Sequence, residues 1–260
     1  MKRVFFVVVV ACIAVLVWIA YQFMNINLDQ VAPITKRDPT PTLAATKPDA
    51  GIRVNNESYA YSLVRVAIAS NITLIPNFTD KTDAKTLADA NGCRQAISGG
   101  FYDKAGKPLG FFFADNRTLG QEIHSTLLNG FFWADTAGSA LISTALPDIP
   151  YRFALQTGPL LLFNGQTMPL TIENDEHARR MVVGKTTNNQ FIFLAVYSGE
   201  SAYFGPLLSG LPSVVSSISS KDNLGIEDAL NLDGGSASAF YSGDTRLSEL
   251  TPVGSLFCVK

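Results

Sequence analysis

Between residues 96 and 197 the chain is a ladder of short apolar runs separated by Gly, Asn and Asp, at 96–102, 109–114, 130–133, 140–143, 151–156, 160–163, 181–184 and 191–197. Runs of this length suit strands better than helices, and the small polar residues between them are those that turn a backbone. The alternation from Tyr59 to Ile68 predicts a further strand, with 72–75 as its hairpin partner, and 229–232, 236–241 and 253–259 close the chain as strands. Helical signals are few. Thr82 stands as the N-cap of a short helix through Ala90 with Gly92 as its stop, and 203–219 reads as one or two helices with proline near an N-terminal turn. With no regular βαβ alternation and no internal repeat, the expected fold is α+β: a strand-rich, mixed or antiparallel sheet domain with a few flanking helices.

Ahead of that domain, Lys2-Arg3 precede an uncharged apolar run over 4–21, which as a helix is just long enough to cross a bilayer. The positive-inside rule then puts the remainder outside the cytoplasm, in a periplasmic or extracellular setting. The run ends in Tyr21-Gln22-Phe23-Met24 without a small-x-small cleavage site, which favours an uncleaved anchor; a cleaved signal would instead release the protein. Residues 25–50, with Pro33, Pro39, Pro41 and Pro48 among Thr, Ala, Asp and Lys, read as a tether. The division expected is 1–24 anchor or signal, 25–50 tether and 51–260 one domain. A net charge of −2 and 16% charged residues, with no basic cluster beyond Lys2-Arg3, exclude a nucleic-acid footprint. Cys93 and Cys258 are the one possible disulfide pair in the domain; two separately buried thiols fit the sequence equally well.

Four Gly-rich polar clusters stand at the ends of predicted strands, where backbone can approach a ligand: Ser98 to Asp103, Gln156 to Pro159, Arg179 to Gly184, and Asn231 to Ser236. Asp233-Gly234-Gly235 taken alone is first of all a hairpin turn.

In order and content, these clusters resemble the motifs of the phosphodiester glycosidase family, which includes N-acetylglucosamine-1-phosphodiester α-N-acetylglucosaminidases and bacterial exopolysaccharide-associated relatives. The resembling elements are Ser98-Gly99-Gly100-Phe101-Tyr102-Asp103, Pro108-Leu109-Gly110, Gln156 to Leu161, Arg180 to Gly184 and Asn231 to Ser236, with Asn129-Gly130-Phe131-Phe132 similar to an element of a bacterial branch. Two departures stand out: Ser98 replaces the usual Asn, and Gly-Gly-Ser-Ala-Ser replaces Gly-Gly-Gly-Ser-Ser after Asp233. The resemblance implies a glycoside hydrolase that breaks the glycosidic bond of a sugar-1-phosphodiester on an envelope glycan or glycoconjugate, its partners being a sugar-phosphate or polysaccharide substrate and, through 4–21, the membrane. The alternative is a non-catalytic carbohydrate-binding protein of exopolysaccharide or envelope assembly.

Breaking an anomeric C–O bond with a phosphate leaving group calls for anion stabilisation on one side and oxocarbenium stabilisation on the other. Arg180, whose planar fork pairs phosphate oxygens, suits the first role; its competing use is an ion pair with Glu173, Asp175 or Glu176. Arg179, next along the strand, points to the opposite face. Asp233 is the candidate carboxylate for the sugar carbon or an attacking water, and Asp103 the second catalytic candidate. Ser98, Gly99, Gly100, Asn129, Gln156, Gly158, Gly234, Gly235 and Ser236 are the expected substrate-binding positions; the Gln156 and Asn129 amides serve sugar hydroxyls or, equally, backbone turns. His124 and His177 lack ligand partners at helical spacing, and nothing in the spacing of Asp103, Asp115 and Asp233 indicates a cation, so neither metal nor cofactor is expected.

Overall fold

The computed structural model describes residues 50–243 and 245–260. The expected anchor or signal over 1–24 and the tether up to residue 49 lie outside the described residues; among the described residues no helix is long and apolar enough to cross a membrane. In chain order the elements are β1 (Ala50–Val54), β2 (Glu57–Val66), β3 (Ile72–Pro76), helix α1 (Ala84–Ala90), β4 (Gln95–Ser98), β5 (Phe112–Ala114) and β6 (Arg117–Gly120). There follow β7 (Gly130–Asp135), β8 (Ala140–Ser143), β9 (Tyr151–Thr157), β10 (Leu160–Phe163), β11 (Gln166–Thr167), β12 (Arg180–Thr186) and β13 (Phe191–Ser198). The last are helix α2 (Leu211–Lys221), β14 (Ile226–Leu232), β15 (Phe240–Ser242), β16 (Thr245–Leu247) and β17 (Ser255–Val259).

The strands form three sheets, in the orders β1-β2-β13-β12-β14-β10-β11, β16-β15-β4-β17-β3 and β6-β5-β9-β7-β8. Every strand pairing described is antiparallel. Continuous apolar runs mark the large sheet because both of its faces are covered. Along β13, Phe191, Phe193, Ala195 and Tyr197 enter the main core. Ile192, Leu194 and Val196, on the other face, meet Leu211, Val214, Val215 and Ile218 of α2. Those four helix positions recur at the spacing of a single helical stripe. The main core lies where the sheets meet, around Phe132 of β7, whose ring stands 5.1 Å from Phe153 of β9, 5.3 Å from Phe191 of β13 and 5.2 Å from Phe257 of β17.

Four local expectations are corrected. Residues 72–75 are not the hairpin partner of β2: β2 pairs with β1 and β13, whereas β3 joins β17 in another sheet. Alternation sets which face a side chain takes but not which strand lies alongside. The N-cap of α1 is Asp83, whose carboxylate accepts from the Thr86 N–H at 2.8 Å; Thr82 is instead tied through its N–H to the Asn77 side chain at 3.0 Å. Asp233-Gly234-Gly235 is no hairpin. It carries the chain from β14 through a 3-10 turn (Gly235–Ala237) to β15 in a different sheet. Residue 50, expected in the tether, already opens β1, and the Cys93–Cys258 pair forms a disulfide that ties the segment after α1 to β17.

Candidate active site

Sheet register creates the site. In the antiparallel β12–β14 pair, Met181 lies opposite Leu232. The next residues outward, Arg180 and Asp233, therefore leave the sheet side by side. A cleft of about 450 Å³ opens at this end, lined by both of them together with Asn231, Gly234, Gly235, Gly158 and Ser125.

Asp233 sits in a rigid turn. Its N–H donates to the Gly99 carbonyl at 2.9 Å and its own carbonyl accepts from the Ser98 hydroxyl at 2.9 Å. Burial holds its carboxyl well above the usual carboxylate range, the Gly234 N–H offsetting this in part. Gly234 is required by space: a Cβ there would lie 2.6 Å from the Arg179 carbonyl oxygen, which itself accepts from the Gly235 N–H at 2.8 Å. The fully buried Arg179 side chain binds Ser238 through Nε at 2.9 Å and the Ser248 carbonyl through Nη2 at 2.8 Å, and stacks over Tyr203. Its burial lowers the guanidinium pKa to about 10. Arg179 thus braces the turn from behind while Arg180 faces the cleft, as strand alternation requires.

Arg180 is oriented by backbone and by Asp175. Its Nε donates to the Pro206 carbonyl at 3.0 Å, and its Nη2 donates to the Glu176 carbonyl at 2.5 Å and faces Asp175 at 3.5 Å. Asp175 also accepts from the Leu208 and Ser209 N–H groups at 2.9 and 2.8 Å, and its carboxyl lies below the usual range; burial opposes that shift, and these N–H groups and Arg180 outweigh it. The ion pair is therefore a partner to Arg180's place in the cleft, not a competitor. Nη1 of Arg180 has no hydrogen-bond partner among the described residues.

Other expected positions serve the frame. Ser98 is fully buried beneath the Asp233 carbonyl. The Gly99 N–H donates to the Ser255 carbonyl at 2.9 Å and the Gly100 N–H to the Ser255 hydroxyl at 3.0 Å, so neither is left for a ligand. Asp103 closes its own turn, accepting from the N–H groups of Ala105 and Lys107 at 2.9 and 2.8 Å, and does not line the cleft. Gln156 is saturated. Its Oε1 accepts from the Phe111 and Ile123 N–H groups, both at 3.0 Å, and its Nε2 donates to the Ile123 and Leu128 carbonyls at 2.6 and 2.9 Å. Asn129 accepts from the Leu160 N–H at 2.8 Å, beside the cis Gly158–Pro159 peptide. Ser236 is exposed and its carbonyl accepts from the Leu250 and Thr251 N–H groups at 2.7 and 3.0 Å. His177 lies outside the cleft lining, its Nδ1 2.9 Å from the Gly205 carbonyl.

Asn231 is a polar member that motif reading quoted without assigning. Its Nδ2 donates to the Gly158 carbonyl at 3.0 Å, while its buried Oδ1 has no partner among the described residues. Its place at the head of Asn231-Leu232-Asp233 was the available signal. Asp175, which orients Arg180, was among the three acidic residues expected as its ion-pair partner; Ser255, which holds Gly99 and Gly100, had no signal, because it lies outside the clusters and meets the site only through folding. Among the described residues no group of three or more His, Cys, Asp or Glu is placed to hold a metal ion.

The arrangement puts one guanidinium and one buried carboxyl on the lining of one cleft, which matches anion binding together with acid-base chemistry. The fold is similar to that of the zebrafish N-acetylglucosamine-1-phosphodiester alpha-N-acetylglucosaminidase catalytic domain auto-inhibited by pro-peptide, at a TM-score of 0.62 and 16% identity, over 81% of this chain and 80% of that one. It is also similar to a hypothetical protein from Synechocystis, at a TM-score of 0.57 and 15% identity, over 81% of this chain and 61% of that one. At these identities the likeness is one of fold. No curated protein matches the chain by sequence. The sequence profile of the phosphodiester glycosidases matches residues 91–260, well over half of the chain and the whole of the segment that builds the cleft, and the chain belongs to the phosphodiester glycosidase family.

Proposed function

We propose that this protein hydrolyses the glycosidic bond of a sugar-1-phosphodiester carried on an envelope glycan or glycoconjugate. The observation that carries the reading is the emergence of Arg180 and Asp233 side by side from β12 and β14 into one cleft. Arg180 pairs the phosphate oxygens and stabilises the charge that accumulates as the anomeric C–O bond breaks, its electron pair leaving with the phosphate. Asp233, ionised when it acts, takes a proton from water as the water oxygen bonds to the anomeric carbon. The products are the free sugar and a phosphate monoester, and no co-reactant besides water is needed. Asn231 offers its unpartnered carbonyl to a sugar hydroxyl.

The departure at Ser98 does not weaken this reading, because Ser98 is buried under the turn and contributes no group to the cleft lining. The test is release of sugar by the purified full chain from a panel of glucose-, galactose- and N-acetylglucosamine-1-phosphodiesters. Turnover should collapse in Asp233→Asn while the diester still binds; a wild-type chain that binds diesters without cleaving them would establish the non-catalytic alternative instead. The Cys93–Cys258 disulfide supports an extracytoplasmic site of action, since such bonds persist in oxidising compartments. Thiol labelling of intact cells checks it: both cysteines should be protected until reductant is added.

A further inference from the structure

The cleft is poor in unengaged polar groups and rich in hydrocarbon. Besides Arg180, Asp233, Asn231 and Ser125, its walls are the apolar side chains of Phe101, Leu109, Leu127, Leu128 and Leu208, with Pro159, Ala178 and three glycines completing the lining. The phosphate and one sugar account for the polar groups, and a second sugar would find little to replace its lost water. Apolar side chains are also exposed on the segments around the cleft. Leu109, Leu119, Ile123 and Leu127 are exposed at 39%, 38%, 37% and 45%. They make up four of the nine exposed large apolar side chains among the described residues, and their segments are drawn together. Gln156 binds the backbone at Phe111, Ile123 and Leu128 at once, and Gly120 packs so closely that a Cβ would lie 2.3 Å from the Gly110 carbonyl oxygen. Exposed apolar side chains on segments gathered by a buried polar hub, at the rim of an apolar cleft, mark a binding surface.

Resting on the glycosidase reading of this cleft, we infer that the group esterified to the phosphate is a hydrocarbon chain, so that the substrate is a lipid-like sugar-1-phosphodiester. The sugar lies at Asp233 and Asn231, the phosphate at Arg180, and the chain runs over Leu109 and Leu127 toward Leu119 and Ile123. Each methylene buried there adds to binding, so preference should grow with chain length.

The experiment compares octyl and methyl diesters of N-acetylglucosamine-1-phosphate with the full chain, and measures octyl phosphate and methyl phosphate binding by calorimetry. The octyl diester should be cleaved with a kcat/KM about tenfold or more higher, and octyl phosphate should bind about tenfold or more tighter. In Leu109→Ser/Leu127→Ser, both exposed positions, the octyl-to-methyl ratio should fall toward one. Turnover of both diesters at equal rates overturns the hydrocarbon assignment and leaves the glycosidase reading standing. Tight, octyl-selective binding with turnover of neither diester supports the hydrocarbon arm and overturns the glycosidase reading. An octyl preference that survives the double substitution means that the patch serves some other occupant, and overturns the assignment.

Discussion

At the scale of the residue, Asp233 is under opposing demands, since the burial that suits it to take a proton also makes its charged form costly. Its folded pKa lies above the ordinary carboxylate value, so its contribution to stability is greatest at low pH and is lost as pH rises through the folded pKa. Asp233→Asn should therefore melt at least ~2 °C above wild type at pH 8, with the gain vanishing near pH 4, as calorimetry would read. The same shift displaces the acidic limb of kcat/KM upward: activity should rise with pH through a value above the usual carboxylate range. Arg180→Ala should lower kcat/KM about 10²–10³-fold, the scale of losing one transition-state anion contact. The glycines divide by what their missing Cβ avoids. Gly234→Ala would meet backbone at 2.6 Å, whereas Gly100→Ala would meet the Leu155 Cδ1 tip at 2.4 Å, which can turn aside. Gly234→Ala should thus cost more, roughly 1–3 kcal/mol against less than ~1 in denaturant unfolding. That Arg180 and Asp233 share one cleft was foreshadowed in the sequence, because motif order singled out both. The roles of Gly99, Gly100 and Ser98 were not, because a glycine that admits Ser255 and a glycine that admits a ligand look the same in a sequence.

At the scale of the element, the site depends on two pieces of backbone arithmetic. The β12–β14 register sets Arg180 against Asp233, and Gln156 on β9 fastens the segment from Phe111 to Leu128 over the cleft. Gln156→Leu leaves those backbone groups without partners in a buried place and should cost roughly 2–4 kcal/mol. Hydrogen exchange at the Phe111 and Ile123 amides should speed up well before that of β12. Although β11, two exposed polar residues, carried no apolar signal, strand positions were readable from the apolar runs at 130–133, 140–143, 151–156, 160–163, 181–184 and 191–197. Partner choice was not: the pairing of β3 with β17 spans most of the chain and has no local signature.

At the scale of the whole molecule, three sheets converge on Phe132, and the Cys93–Cys258 bond spans 165 residues to hold β17 in place beside β4. Cys93→Ser/Cys258→Ser should lower stability by roughly 2–4 kcal/mol by relaxing that constraint on the unfolded chain, a fall in Tm of about 5–15 °C. The sequence left that pair undecided because spacing gives no information on spatial proximity. Which bond is cut separates attack at the sugar from attack at phosphorus. Turnover of a sugar-1-phosphodiester in ¹⁸O water should place the label in the free sugar, because water attacks the anomeric carbon. Label in the phosphate monoester would mean P–O cleavage, and would contradict the assignment of Asp233 to the sugar and Arg180 to the leaving phosphate.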